Sequence, residues 1–212
     1  MRNLILCLFI ILFSNGFAQH YVPFSKKEIS LIQKDSSGLM RVSQLKNAED
    51  SMTLKTVSQP INPNEKLTKL LAERMLKSVN DPLNQGVGIA APQVGINRRM
   101  ILIQRFDKPT NPFEVMINPE ILWHSELMQK GPEGDLSFEE RGLVMRYYAI
   151  QIQYFNLKGQ EITEILEGFT SVIFQHERDH LDGVLLTDRI EEQKNLTFKP
   201  ANENINLYFL SN

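Results

Sequence analysis

The feature that most restricts how this chain can fold is His176-Glu177-Arg178-Asp179-His180, set within a stretch of helical periodicity. Phe169, Val172, Ile173 and His176 recur on neighbouring faces of a helix predicted over residues 168–181. On such a helix, two histidines four residues apart stand one turn apart on one face, so both imidazoles can reach a single cation. Glu177, next to the first histidine, can reach a water activated by that cation and take its proton. The bland alternative is a helix with two surface histidines and ordinary charge pairs four residues apart.

A hydrolytic metal site needs a third protein ligand and one open position. Downstream of the histidines, Glu191, Glu192 and Glu203 are available. Upstream, Glu133-Gly134-Asp135-Leu136-Ser137 frames a carboxylate in a glycine-containing segment where backbone can approach a ligand closely. Taken alone, Asp135 also suits an ordinary turn. A further element is Gly86-Val87-Gly88-Ile89-Ala90-Ala91-Pro92-Gln93. Its small side chains let a substrate backbone lie close, and Gln93 offers an amide N–H to an oxyanion. The alternative is a glycine-rich turn entering a tight strand. A phosphate-binding loop is disfavoured, since no Lys-Ser/Thr follows the glycines.

Other segments place these motifs in an α+β order. Leu67, Leu70, Leu71, Met75, Leu76 and Val79 predict a helix beginning at Asn64 and stopping at Asn80-Asp81-Pro82. Residues 100–104 and 115–118 read as short strands, the second closed by Pro119. Residues 144–155 read as one longer strand, turned by Asn156-Leu157-Lys158-Gly159 toward a strand over 161–166. A polar lead-in, with a turn at Asp35-Ser36-Ser37-Gly38, precedes the first helix, and Leu207-Tyr208-Phe209-Leu210 suggests a last strand. Helices set against a mixed or antiparallel sheet follow from this order. With 212 residues, 42% hydrophobic and 23% charged, the chain suits one well-cored domain. A net charge of −2 and the lack of a Lys/Arg cluster argue against a nucleic-acid partner.

The first residues have another character. Arg2 precedes an apolar run from Leu4 to Phe13, and Gly16-Phe17-Ala18 supplies small residues for cleavage after Ala18. The run is short for a membrane span. It reads as a signal peptide over residues 1–18, making the protein exported, periplasmic or secreted, with no stable membrane insertion once Gln19 is the N-terminus. An uncleaved anchor or a buried N-terminal helix is the alternative. Cys7, the only cysteine, lies before the cut, so the mature chain has no thiol ligand and no disulfide.

In order and content the three motif segments resemble the peptide deformylases, whose hallmarks are G-x-G-x-A-A-x-Q, E-G-C-L-S and Q-H-E-x-D-H. The first stands here as Gly86 to Gln93 and the last as Gln175 to His180, extended by Leu181-Asp182-Gly183. The likeness runs from about Asn62 to Ile190. It implies a fold of mixed or antiparallel sheets around a central helix bearing H-E-x-x-H. The corresponding divisions are a signal peptide over 1–18, a lead-in over 19–50, a catalytic domain over 51–195 and a C-terminal extension over 196–212. It further implies that His176 and His180 bind one divalent cation and that Glu177 is the acid/base. Gln93 and the backbone N–H of Leu136 would hold the oxyanion, and Gly88 would touch the substrate backbone. Val87, Phe169 and Val172 fall where the family lines its methionine pocket, and Arg146 matches an arginine placed with the substrate-binding set. The middle motif departs from the family: Asp135 stands where the ligand cysteine is expected, and Phe138-Glu139 follows Ser137 without the usual proline.

Two histidines and a carboxylate suit Fe²⁺ or Zn²⁺, with Ni²⁺ and Co²⁺ as further options. A thiolate on iron is open to oxidation and a carboxylate is not, so Asp135 and the signal peptide fit one setting. The expected reaction is removal of the formyl group from an N-formyl-methionyl peptide or of a similar small N-acyl group. Two rivals are a non-catalytic binder of formyl peptide or metal on the same fold, and an endopeptidase using a downstream glutamate. Oligomeric state has no signature in the sequence.

Overall fold

The computed structural model describes residues 21–35 and 38–211. The signal-peptide reading over 1–18 lies outside these residues, as does the middle of the Asp35–Gly38 turn.

Strand β2 (Met100–Gln104) organises the fold. It pairs with β1 (Gly88–Ala90) on one side and β3 (Phe113–His124) on the other, and β6 (Ala149–Phe155) and β7 (Glu161–Glu167) complete an antiparallel sheet in the order β1-β2-β3-β6-β7. Successive side chains of a strand point to opposite faces. Met100 and Leu102 therefore enter one core cluster, and Ile101 and Ile103 enter another. All four are fully buried, so this sheet is covered on both faces. Each such side chain contributes about 1.5–3 kcal/mol on removal from water.

One face is covered by helix α3 (Lys66–Val79), which buries Leu71, Ala72, Met75 and Val79 as the three-to-four spacing predicts. Helices α1 (Lys26–Gln33) and α2 (Ala48–Leu54) lie in the segment read as a polar lead-in. Their short length hides the periodicity, but their caps are strong. Ser25 and Glu28 form a reciprocal capping box, and Asn47 accepts from the N–H groups of Glu49 and Asp50. Buried Arg74 ties this segment down by donating to the carbonyls of Leu31, Ile32 and Leu39.

The opposite face is covered by α4 (Gly168–Leu181), which coincides with the predicted helix and carries the H-E-x-x-H motif. It packs on β1, β2 and strand β5 (Gly142–Tyr147). β5 pairs with β4 (Leu127–Glu133), and with β8 (Phe198–Pro200) and β9 (Leu207–Leu210) they form a second antiparallel sheet, β5-β4-β9-β8. Helix α5 (Leu186–Gln193) follows α4 and packs on β5.

Two strand expectations are corrected. Pro119 does not end β3, because the pairing shifts register between Ile117 and Glu120 and Asn118 takes a left-handed φ of 51°. A bulge tolerates proline's missing N–H. Asn118 is held there by two 2.9 Å hydrogen bonds with the backbone of Ile61. The run 144–155 is two strands in different sheets, broken at Tyr148, whose N–H donates to Leu127 and whose carbonyl accepts from Gly168. That corner brings the end of β4, and Asp135 just beyond it, over α4.

Candidate active site

The site forms where three separate segments meet: α4, the loop after β4, and β1 with the 3₁₀ turn Ala91–Val94 that follows it. On α4 the rings of His176 and His180 lie 5.2 Å apart. Asp135 Oδ2 stands 3.6 Å from His176 Nε2 and 3.0 Å from His180 Nε2. A tetrahedral cation with bonds of about 2.0–2.1 Å to N and O ligands spaces those atoms by roughly 3.3 Å, between the two observed values. Asp135 Oδ2 and both ring nitrogens of His180 are buried without a hydrogen-bond partner. Buried polar atoms left in this state are costly, and a divalent cation between Asp135 Oδ2 and His180 Nε2 relieves those two. The donor set thus fits a metal.

Asp135 also behaves as the turn residue its sequence allows, since its Oδ1 accepts from the N–H of Ser137 at 2.7 Å. The same oxygen accepts from Gln93 Nε2 at 3.0 Å. The loop is held from outside by Gln44 and Leu45. Gln44 Nε2 donates to the Leu136 carbonyl at 3.0 Å, and the N–H of Leu45 to the Ser137 carbonyl at 2.9 Å.

Behind the histidines runs a chain of buried charge. His176 Nδ1 contacts Glu133 Oε2 at 2.9 Å, fixing the ring so that Nε2 faces Asp135. Glu133 makes a two-pronged pair with Arg146, which donates in turn to Asp179 at 2.6 Å. Burial raises the Glu133 carboxyl, but Arg146 and His176 outweigh it and bring it down to about 2. Burial would raise the Asp135 carboxyl, but the two imidazoles facing it, His180 and His176, attract the charged form and hold it well below the carboxylate range. Burial alone would lower His176, yet its contacts with Asp135 and Glu133 raise it to about 10. The pocket therefore demands positive charge, from a proton or a cation.

Glu177 has the opposite surroundings. It is 4% exposed and its Oε2 has no partner. Burial pushes its carboxyl up to about 7, despite the nearby histidines, which favour ionisation. A carboxyl poised there can both accept and return a proton near neutrality. Gly88 makes room for it: a Cβ on Gly88 would stand 2.3 Å from Glu177 Oε1.

A cleft of about 280 Å³ opens beside these groups, lined by Val87, Gly88, Gln93, Leu136, Phe169 and Val172 together with Asp135, His176 and Glu177. Arg146 is not among its walls. The guanidinium is buried, its donors engaged by Glu133 and Asp179, so the sequence assignment to substrate binding is corrected to a support behind His176. Glu191, Glu192 and Glu203 are exposed; the first pairs with Lys194 and the second with Arg189, and none joins the histidines. Sequence reasoning missed Glu133 and Asp179 as supports, though both sit inside the motifs. It also missed Arg141, a cation on the cleft wall.

An open site of two imidazoles and one carboxylate, with a buried carboxyl raised toward neutrality at its side, is the arrangement of a metal-dependent hydrolase. Comparison with known proteins narrows the class. Residues 42–196 match the family model for polypeptide deformylase. The peptide deformylases of Thermotoga neapolitana and Thermotoga maritima are each 37% identical over 147 residues, covering 69% of this chain and 86% of theirs. An actinonin-bound class I type b peptide deformylase from Acinetobacter baumannii superposes with a TM-score of 0.64 at 35% identity, over 72% of this chain and 99% of that one. The chain belongs to the peptide deformylase family, metal-dependent hydrolases that cleave the N-formyl amide of nascent peptides.

Proposed function

We propose that this protein is a carboxylate-ligated deformylase in which Asp135, His176 and His180 hold one divalent cation. The observation that carries the reading is Asp135 Oδ2, buried without a hydrogen bond and facing two imidazole nitrogens at 3.0 and 3.6 Å. Fe²⁺ and Zn²⁺ suit the donors best, and Ni²⁺ or Co²⁺ fit the same set. Such a cation supplies Lewis acidity and makes water acidic enough to ionise near pH 7.

The chain's own residues do the rest. Glu177 takes a proton from the attacking water and later gives it to the leaving amine, so the C–N bond of the formyl amide breaks into formate and a free amine. The backbone N–H of Leu136 and the second amide proton of Gln93 face the developing oxyanion. That proton is only weakly engaged, since Ser137 Oγ lies 3.5 Å away. Val87, Phe169 and Val172 provide an apolar wall for the side chain next to the formyl group, which favours an N-formyl-methionyl peptide or a similar short N-acyl compound. Gly88 admits its backbone beside Glu177.

Metal analysis and turnover of formyl-Met-Ala-Ser by the wild type, Asp135→Ala and Asp135→Cys test this reading. Stoichiometric metal and turnover, both lost in Asp135→Ala, are expected. Wild-type protein that takes no metal under any loading overturns the site. Metal without turnover points instead to binding or to another acyl substrate.

We further propose export through residues 1–18, supported by the charged start, the apolar run and the small residues before Gln19. N-terminal sequencing of protein recovered outside the cytoplasm should begin at Gln19; an intact Met1 would refute cleavage.

A further inference from the structure

Replacing a thiolate ligand by a carboxylate brings an atom that the thiolate lacks, and the structure gives that atom a separate task. Oδ1 of Asp135 accepts from the N–H of Ser137 at 2.7 Å and from Gln93 Nε2 at 3.0 Å. Oδ2 is buried without a protein donor and faces the two histidines. The carboxylate is divided, with one oxygen committed to the protein and the other left for a cation.

Gln93 cannot exchange its amide ends. Its Oε1 accepts from the N–H of Ala90 at 2.9 Å, and the side chain is 1% exposed. A flip would set Oε1 against Oδ1 and the NH₂ against a backbone N–H, two repulsive contacts in a dry pocket. The 3₁₀ turn that carries Gln93 is also pinned, since the N–H of Ser43 donates to the Gln93 carbonyl at 2.7 Å.

We propose that Gln93 is a positioning residue that keeps Asp135 a one-oxygen ligand. With Oδ1 occupied by Gln93 and Ser137, only Oδ2 turns to the cation. A two-oxygen grip would fill the coordination position that a hydrolytic site leaves for water and substrate. This role rests on the metal site proposed above and is distinct from any contact of Gln93 with an oxyanion. A cysteine at position 135 would have no second atom to hold, so the role belongs with the carboxylate.

The test is a double-mutant cycle read by zinc affinity in chelator competition, with no turnover involved. Gln93→Met keeps the bulk of the side chain and removes the donor. It should weaken zinc binding about 10–100-fold in the Asp135 protein, as support mutations behind metal ligands do, and change it by less than about twofold in Asp135→Cys. Equal losses in both backgrounds overturn the proposal while leaving the metal site standing. Failure of the wild type to bind zinc removes the site and the proposal together. The unmutated protein gives a second check through the zinc-induced infrared difference spectrum with ¹³C-labelled aspartate. A wide separation of the antisymmetric and symmetric carboxylate stretches is expected for one-oxygen ligation; a narrow separation, as for two-oxygen ligation, overturns it.

Discussion

Arg105 and Asp135 are both buried charges, yet their surroundings differ in kind. Arg105, 1% exposed, donates to Asp107, Glu114 and Glu164, and Tyr154 adds a hydrogen bond to Glu164. Among the described residues, no atom of this cluster is buried without a partner. Around Asp135 the count reverses: of the six buried side-chain atoms lacking a partner among the described residues, four belong to Asp135, Glu177 and His180. A cluster that satisfies itself serves the fold. One that stays unsatisfied is held open by the rest of the molecule for something that binds. Composition does not separate the two, since both are rich in acids. Only the pairing does.

The comparison breaks most sharply at Glu177. Glu177→Gln should lower kcat about a thousandfold, within the range for loss of a general base, while zinc affinity stays near wild type. The same substitution should stabilise the metal-free protein, and the pH dependence gives the sign. Burial pushes the Glu177 carboxyl from its ordinary 4.5 up to about 7, so its stability contribution is full below 4.5 and lost as pH rises through 7. The variant should therefore melt higher than the wild type at pH 8 and equally at pH 4. Equal melting at both values would mean that the carboxyl is not strained.

Arg105→Ala should do the reverse. Removing one partner of a buried charge cluster typically costs about 3–5 kcal/mol, so urea unfolding should shift strongly while the rate per folded molecule holds. A lost rate in still-folded protein would show the cluster to be part of the site.

Glu133→Gln falls between the two, because Glu133 belongs to the charge chain yet touches His176. It should weaken zinc affinity about 10–100-fold, measured by chelator competition. The smallest effect is a slope. His176 is raised from 6.5 to about 10 in the metal-free site, so a cation must displace its proton. Zinc affinity should rise about tenfold per pH unit between 7 and 9, with one proton released per ion. A flat profile would show that His176 is already neutral.

Much of the site was legible because the signal is local. The span of α4 follows from apolar spacing, and the shared face of His176 and His180 follows from helix geometry alone. The cleft positions of Val87, Gly88, Phe169 and Val172 came through the family resemblance, and the structure places all four on its walls. The reading of Arg146 failed because its partners, Glu133 and Asp179, come from β4 and α4, and no pattern around Arg146 reports them. The break at Tyr148 was hidden for a similar reason: residues 144–155 look β-forming throughout, and only the pairing partners send the two halves to different sheets.

By itself, then, the sequence determined the helix, the face it offers to a cation, and the glutamate beside the first histidine, since each depends on neighbours within one or two turns. The motif resemblance already pointed to Asp135 for the third ligand, ahead of Glu191, Glu192 and Glu203. The tertiary structure decided the distance: Asp135 leaves the end of a strand that the second sheet carries over α4, which sets its carboxylate beside both histidines. The fold also decided that one oxygen of that carboxylate is spoken for and the other free, a distinction set by where Gln93 and Ser137 come to rest. Hydrogen bonds between distant segments carry no periodicity, so they become readable only when the chain is folded.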